Sequence, residues 1–106
     1  DTITAVSNIK LWKVVVTSLN NSYLVQDTLQ IPYKVKIDCT DATTNSFSSF
    51  VSVPTSGGSL TFTKKTKKGG SVLSITVKVE NQDITDELYE AGNNYVDTLV
   101  FTISVN

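Results

Sequence analysis

The chain has 106 residues, nine basic and ten acidic side chains, a net charge of -1 and no histidine. Its length suits one domain over residues 1–106, and its 40% apolar content supports one core and is too high for a disordered tail. Every basic residue is lysine, so bidentate phosphate or base readout lacks its preferred side chain. The near-neutral charge supplies no field to draw in nucleic acid or an anionic membrane.

Taken in chain order, the signal is alternation of apolar and polar residues, the period of half-buried strands. Residues 2–6 form a short first candidate. Trp12, Val14 and Val16 then alternate with Lys13, Val15 and Thr17, which assigns the tryptophan to the core rather than to a carbohydrate platform. After an Asn20-Asn21 turn, residues 23–25 read as a short edge segment. Tyr33, Val35, Ile37 and Cys39 alternate with Lys34, Lys36 and Asp38 over residues 31–39, with Pro32 marking an edge position or a strand start. Residues 47–53 are apolar and β-branched enough for a strand, bounded by Pro54 and Gly57-Gly58. Leu60 and Phe62 mark the next.

The segment TKKTKKGG carries four lysines and two glycines and reads as a solvated hairpin tip; a polyanion-binding loop is the sharper alternative. Over residues 72–80, Leu73, Ile75, Val77 and Val79 alternate with Ser74, Thr76 and Lys78. Residues 83–91, DITDELYEA, suggest a single helical turn stopped by Gly92. The last segment points Leu99, Phe101, Ile103 and Val105 one way and Thr98, Thr102 and Ser104 the other, the pattern of a core strand. The expected fold is all-β: an immunoglobulin-like antiparallel sandwich of about six to eight strands.

Catalytic patterns fail at required residues. Without histidine, Ser-His-Asp and Cys-His sites cannot be assembled. Gly69-Gly70 follow the lysines instead of preceding one, so there is no phosphate-binding P-loop. One cysteine cannot support a structural zinc site or an intrachain disulfide. Cys39 reads as a small buried residue at a strand end, with pairing between chains or a reactive thiol as the alternatives. Asp83, Asp86, Glu87 and Glu90, and separately Asp38 and Asp41, do not follow the calcium-loop pattern. The expectation is a non-enzyme with no cofactor and no metal. No run is long enough to span a bilayer as a helix, so membrane insertion is not expected. With no methionine even at position 1, the chain is expected to begin at a processed or engineered boundary.

The C-terminal run carries a further signal. Ala91, Gly92, Tyr95, Asp97, Thr98, Leu99, Phe101, Thr102, Ile103 and Ser104 fit the ending AG-x-Y-x-D-T-[LV]-x-[FV]-T-[IV]-S, with one residue inserted before the tyrosine. That ending is similar to those of bacterial chaperone–usher fimbrial subunits and the spore-coat-protein-U-like family. Gly92 suits a tight turn, Tyr95 a tyrosine-corner position, and Asp97 a cap before the strand.

In those families the last strand of the chain pairs with a strand lent by a chaperone or a neighbouring subunit, so the resemblance implies a sandwich lacking its final strand. It further implies an extracellular or cell-surface structural or adhesive subunit, whose partner is another protein. The cysteine pair of many such subunits is absent, and residues 1–6 are too short for a donor extension plus a first strand. The alternative is a self-contained immunoglobulin-like module of a larger surface protein, recognising glycan or host protein through its loops.

Overall fold

Alternation becomes structure when each strand can turn its apolar row toward a facing sheet, and two such sheets form here. The computed structural model describes residues 1–26, 29–79 and 97–106. Among them are nine strands: β1 (Thr2–Ala5), β2 (Trp12–Ser18), β3 (Tyr23–Gln26), β4 (Leu29–Pro32), β5 (Lys34–Asp38), β6 (Thr44–Asn45), β7 (Gly58–Phe62), β8 (Ser71–Lys78) and β9 (Leu99–Val105). Every strand pairing is antiparallel. One sheet runs β6-β7-β2-β9, a second runs β1-β8-β5, and β3 and β4 form a separate hairpin. No helix occurs among the described residues.

The core lies between the two larger sheets. Trp12, Val14 and Val16 of β2 and Leu60 and Phe62 of β7 meet Ala5 of β1, Val35 and Ile37 of β5, and Leu73 of β8. Each large apolar side chain removed from water contributes about 1.5–3 kcal/mol. The Trp12 and Phe62 rings stack 3.9 Å apart at 8°. Trp12, 1% exposed, satisfies its indole N–H on the Lys64 carbonyl at 2.9 Å. The tryptophan is therefore core, as its alternation requires.

Two stretches depart from the sequence reading. The expected strand over residues 31–39 breaks at Tyr33, dividing it into β4 and β5. Pro32 has no N–H to give. Next to it, Tyr33 turns both backbone groups to Ser22: its N–H donates to the Ser22 carbonyl at 3.1 Å, and its carbonyl accepts from Ser22 Oγ at 2.8 Å. Residues 47–53, read as a strand, instead follow β5 as an irregular segment. Only Val51 bridges to Val35, while Ile37 N–H donates to the Phe47 carbonyl at 2.8 Å. The Asn45 side chain supplies two further bonds there, donating to the Ile37 carbonyl at 2.8 Å and accepting from Phe47 N–H at 2.8 Å. Asparagine thereby substitutes for ladder bonds, and Phe47 is driven fully into the core.

The largest correction concerns β9. Its register on β2 sets Phe101 opposite Val16, Ile103 opposite Val14 and Val105 opposite Trp12, so the predicted row does share the face of the core residues. Yet, among the described residues, β9 is the outermost strand of its sheet. Leu99 and Phe101 are half-buried against the core, whereas Ile103 is 49% and Val105 64% exposed. The direction expected for this row holds. The burial expected for Ile103 and Val105 does not, because the facing sheet leaves that end of the edge strand uncovered.

Candidate functional site

Three features could carry function: a hydrogen-bonded corner, an open flank and a polar cleft. The corner is built around Asp97, immediately before β9. Its Oδ2 accepts from Ser18 Oγ at the end of β2 and from the hydroxyl of Tyr33. Its Oδ1 accepts from the backbone N–H of Asn20 at 3.0 Å and of Thr98 at 2.8 Å. Burial by itself would raise the Asp97 carboxyl. The bonds from Ser18, Tyr33, Thr98 and Asn20 outweigh it and hold the group below its ordinary value. Burial, then the bond to Asp97, pushes the Tyr33 phenol well above its ordinary value. Neither group is poised to exchange a proton near neutrality, so the corner fastens β2, Tyr33 and β9 together.

Of the residues expected at this corner, Gly92 and Tyr95 lie outside the described residues, as do the suggested helical turn and the acidic cluster over residues 83–90. Besides the Ser18 hydroxyl, two participants were not singled out from sequence. One is the hydroxyl of Tyr33, which alternation marked only as inward-facing. The other is Ser22, 4% exposed, held at φ 66° beside Asn21 at φ 53°. Its Oγ also accepts from Val53 N–H at 3.1 Å. A lone serine after two asparagines gives a turn signal and nothing that foretells burial.

The flank is where β1 and β9 end their respective sheets. Among the described residues, no strand pairs with the far edge of either. β1 pairs with β8 from Ser71 to Ser74, with Asp1 and Ile75 exchanging the last bonds at 2.8 and 3.3 Å. Beyond Ile75, among the described residues, β8 has only β5 beside it. Val77 stands opposite the buried Val35 yet is 50% exposed. Core-face side chains thus reach solvent from both sheets: Val77 from one, Ile103 and Val105 from the other. Such an edge, apolar and unpaired, is a surface soluble proteins usually cover or charge.

The cleft, of about 370 Å³, lies between the turn after β5 and the loop after β7. Thr40, Asp41 and Thr43 form one wall and Lys64, Lys65 and Lys67 stand on the other, with Ser71 between them. Ser71 Oγ donates to Asp41 Oδ2 at 2.8 Å. Cys39, next to this turn, is half-buried with its thiol reduced, and it touches the core cluster. Among the described residues no three carboxylate, cysteine or histidine side chains gather as a metal site, and no helix is long and apolar enough to cross a membrane.

Set against family models, curated proteins and solved structures, the chain matches none of them. Its function has to be read from these three features.

Proposed function

We propose that the chain is a non-enzymatic, extracellular structural or adhesive subunit of pilin-like or coat-like type, which assembles by accepting a strand from another protein along its open flank. The observation that carries this reading is the exposure of Ile103 and Val105, core-face residues on β9, whose outer edge has no partner strand among the described residues. A donor strand there gains main-chain hydrogen bonds along the edge, and its alternate side chains cover the exposed apolar row.

The fold we propose is immunoglobulin-like with its terminal strands exchanged. The order β6-β7-β2-β9 over β1-β8-β5 parallels a four-on-three sandwich in which the second, fifth and fourth strands adjoin, as do the third and sixth. The N-terminal strand β1 takes the edge that a C-terminal strand ordinarily holds, and β9 takes the opposite one. That order leaves β1 and β9 each at the edge of a sheet, where a further strand can be added.

Sedimentation over a wide concentration range tests the assembly reading. The wild-type chain should associate as concentration rises, or gain thermal stability from a peptide copying residues 99–105. The double variant I103K/V105K should do neither, while its own stability changes by less than about 0.5 kcal/mol, since both side chains are exposed. A wild-type chain that stays monomeric and ignores the peptide removes the proposal. The second reading, a self-contained module that binds through its loops, is favoured by the pairing of β1 along β8 and by the cleft.

A further inference from the structure

We propose that the cleft between the β5–β6 turn and the β7–β8 loop binds an acidic sugar, the carboxylated or sulphated unit of a glycan. This inference is independent of strand addition and rests on the cleft alone.

Three observations support a binding site rather than a solvated loop. The first is unbalanced charge. Lys64, Lys65 and Lys67 line one cleft, and among the described residues none has a carboxylate within ion-pairing distance; the one ion pair there is Lys36 with Asp38, at 3.9 Å. Asp41, the acid across the cleft, accepts from Ser71 instead. Three like charges held together repel one another, and an anion entering between them relieves that repulsion.

The second is rigidity. A solvated lysine tip would hang free, but this loop is tied down along its length. The Lys64 carbonyl accepts from the Trp12 indole at 2.9 Å. Thr66 N–H donates to the Ser7 carbonyl at 2.9 Å, and Ser7 N–H returns a bond to Thr66 Oγ1 at 3.0 Å. Gly70 N–H closes the turn on the Lys67 carbonyl at 2.8 Å. The opposite wall is fixed by Thr43 N–H on the Thr61 carbonyl at 2.7 Å. Groups ordered before the ligand arrives lower the entropic cost of binding it.

The third is the chemistry of the lining. Threonine and serine hydroxyls donate and accept, matching the vicinal hydroxyls of a sugar ring, and Asp41 can accept from a sugar hydroxyl. That same carboxylate opposes a polymer carrying phosphate at every step. The lining contains neither arginine nor an aromatic ring, so base stacking and bidentate phosphate contacts have no partner. A volume near the lower end of ligand pockets, ~300–1,000 Å³, fits one or two sugar rings.

Titration calorimetry at low salt tests the proposal with four probes: a trigalacturonate, a sulphated heparin disaccharide, a neutral maltotriose and a short single-stranded oligodeoxynucleotide. One or both acidic sugars should bind, and which of them does identifies the acid. Maltotriose should bind at least about tenfold more weakly, as should the acidic sugar to the triple variant K64Q/K65Q/K67Q. The variant K13Q/K34Q/K36Q removes the same charge away from the cleft and should retain binding. Lys64, Lys65 and Lys67 are exposed, whereas Lys13, Lys34 and Lys36 are half-buried and Lys36 pairs with Asp38 at the surface. The cleft variant should therefore keep the wild-type melting temperature, and the control variant should stay within a few degrees of it. The proposal is overturned if neither acidic sugar binds, if the oligonucleotide binds as tightly, or if the two triple variants lose affinity equally.

Discussion

Replacing Asp97 with asparagine separates a structural corner from an incidental contact. Asparagine keeps one oxygen for the N–H groups of Asn20 and Thr98, but sets an N–H donor against the hydroxyls of Ser18 and Tyr33, which now donate to Oδ2. Two donors lose their acceptor, one of them on the buried Tyr33. A buried polar group left unsatisfied costs about 1–3 kcal/mol. The Ser18 hydroxyl is only part-buried and recovers some of its loss from solvent, so the expected cost is about 2 kcal/mol. In a domain of this size that lowers the melting temperature by about 10 °C. The pH dependence has a definite sign. Because the folded-state carboxyl is held below its ordinary value, its stabilisation is fully present above about pH 4 and is lost as pH falls through the lowered value. The gap between wild type and Asp97→Asn, measured by urea titration, should therefore be widest near neutrality and narrow in acid. A gap under about 0.5 kcal/mol at neutral pH, or one that does not narrow in acid, refutes the assignment.

The remaining predictions concern packing. A Cβ on Gly70, at φ +77°, would lie 2.8 Å from the Ala5 carbonyl oxygen, whereas one on Gly69 meets nothing within 4 Å. Gly70→Ala should cost about 1–3 kcal/mol, and Gly69→Ala should be neutral or stabilise by up to about 1 kcal/mol; equal denaturation midpoints would contradict this. A Cβ on Gly58 would lie 2.6 Å from Cε2 of Phe47, a ring with no exposed surface. Gly58→Ala should thus cost about 1–3 kcal/mol, part of it recovered in the double variant G58A/F47L; a strictly additive pair would mean that the ring moves aside.

Period-two alternation was enough to locate β2, β5, β8 and β9 in the sequence, because each turns one row of side chains inward and sequence records that row directly. It could not tell a central strand from an edge. Val14 and Ile103 carry the same signal and face each other in register, yet one is buried between two sheets and the other stands at a margin. That difference belongs to the partners, which are distant in sequence. The irregular course of residues 47–53 was hidden for a related reason: its bonds come from Asn45 and from the edge of β5, and composition alone matches a strand. At the corner, Asp97 announced itself as a cap before a strand. Ser22 and the Tyr33 hydroxyl gave no comparable sign, since their roles depend on a left-handed turn bringing the β2–β3 connection over the start of β5.

The corner, flank and cleft also differ in what they leave free. The Asp97 bonds fix the end of β9 nearest Leu99, where the row is half-buried, while Ile103 and Val105 at the other end stay open. A strand added along β9 would cover that row without occupying the loops that form the cleft, because those loops extend from β5 and β7 rather than from the open edge. If both proposals hold, assembly and ligand binding use separate surfaces, and every added copy displays one more cleft. A shallow polar site of this size binds weakly alone. Repeated along a polymer and facing a polyvalent glycan, it gains effective concentration from each neighbouring site without any new contact. Affinity for an immobilised acidic glycan should therefore rise steeply with the degree of assembly, and I103K/V105K should lose that rise while keeping the single-site affinity of the wild-type chain.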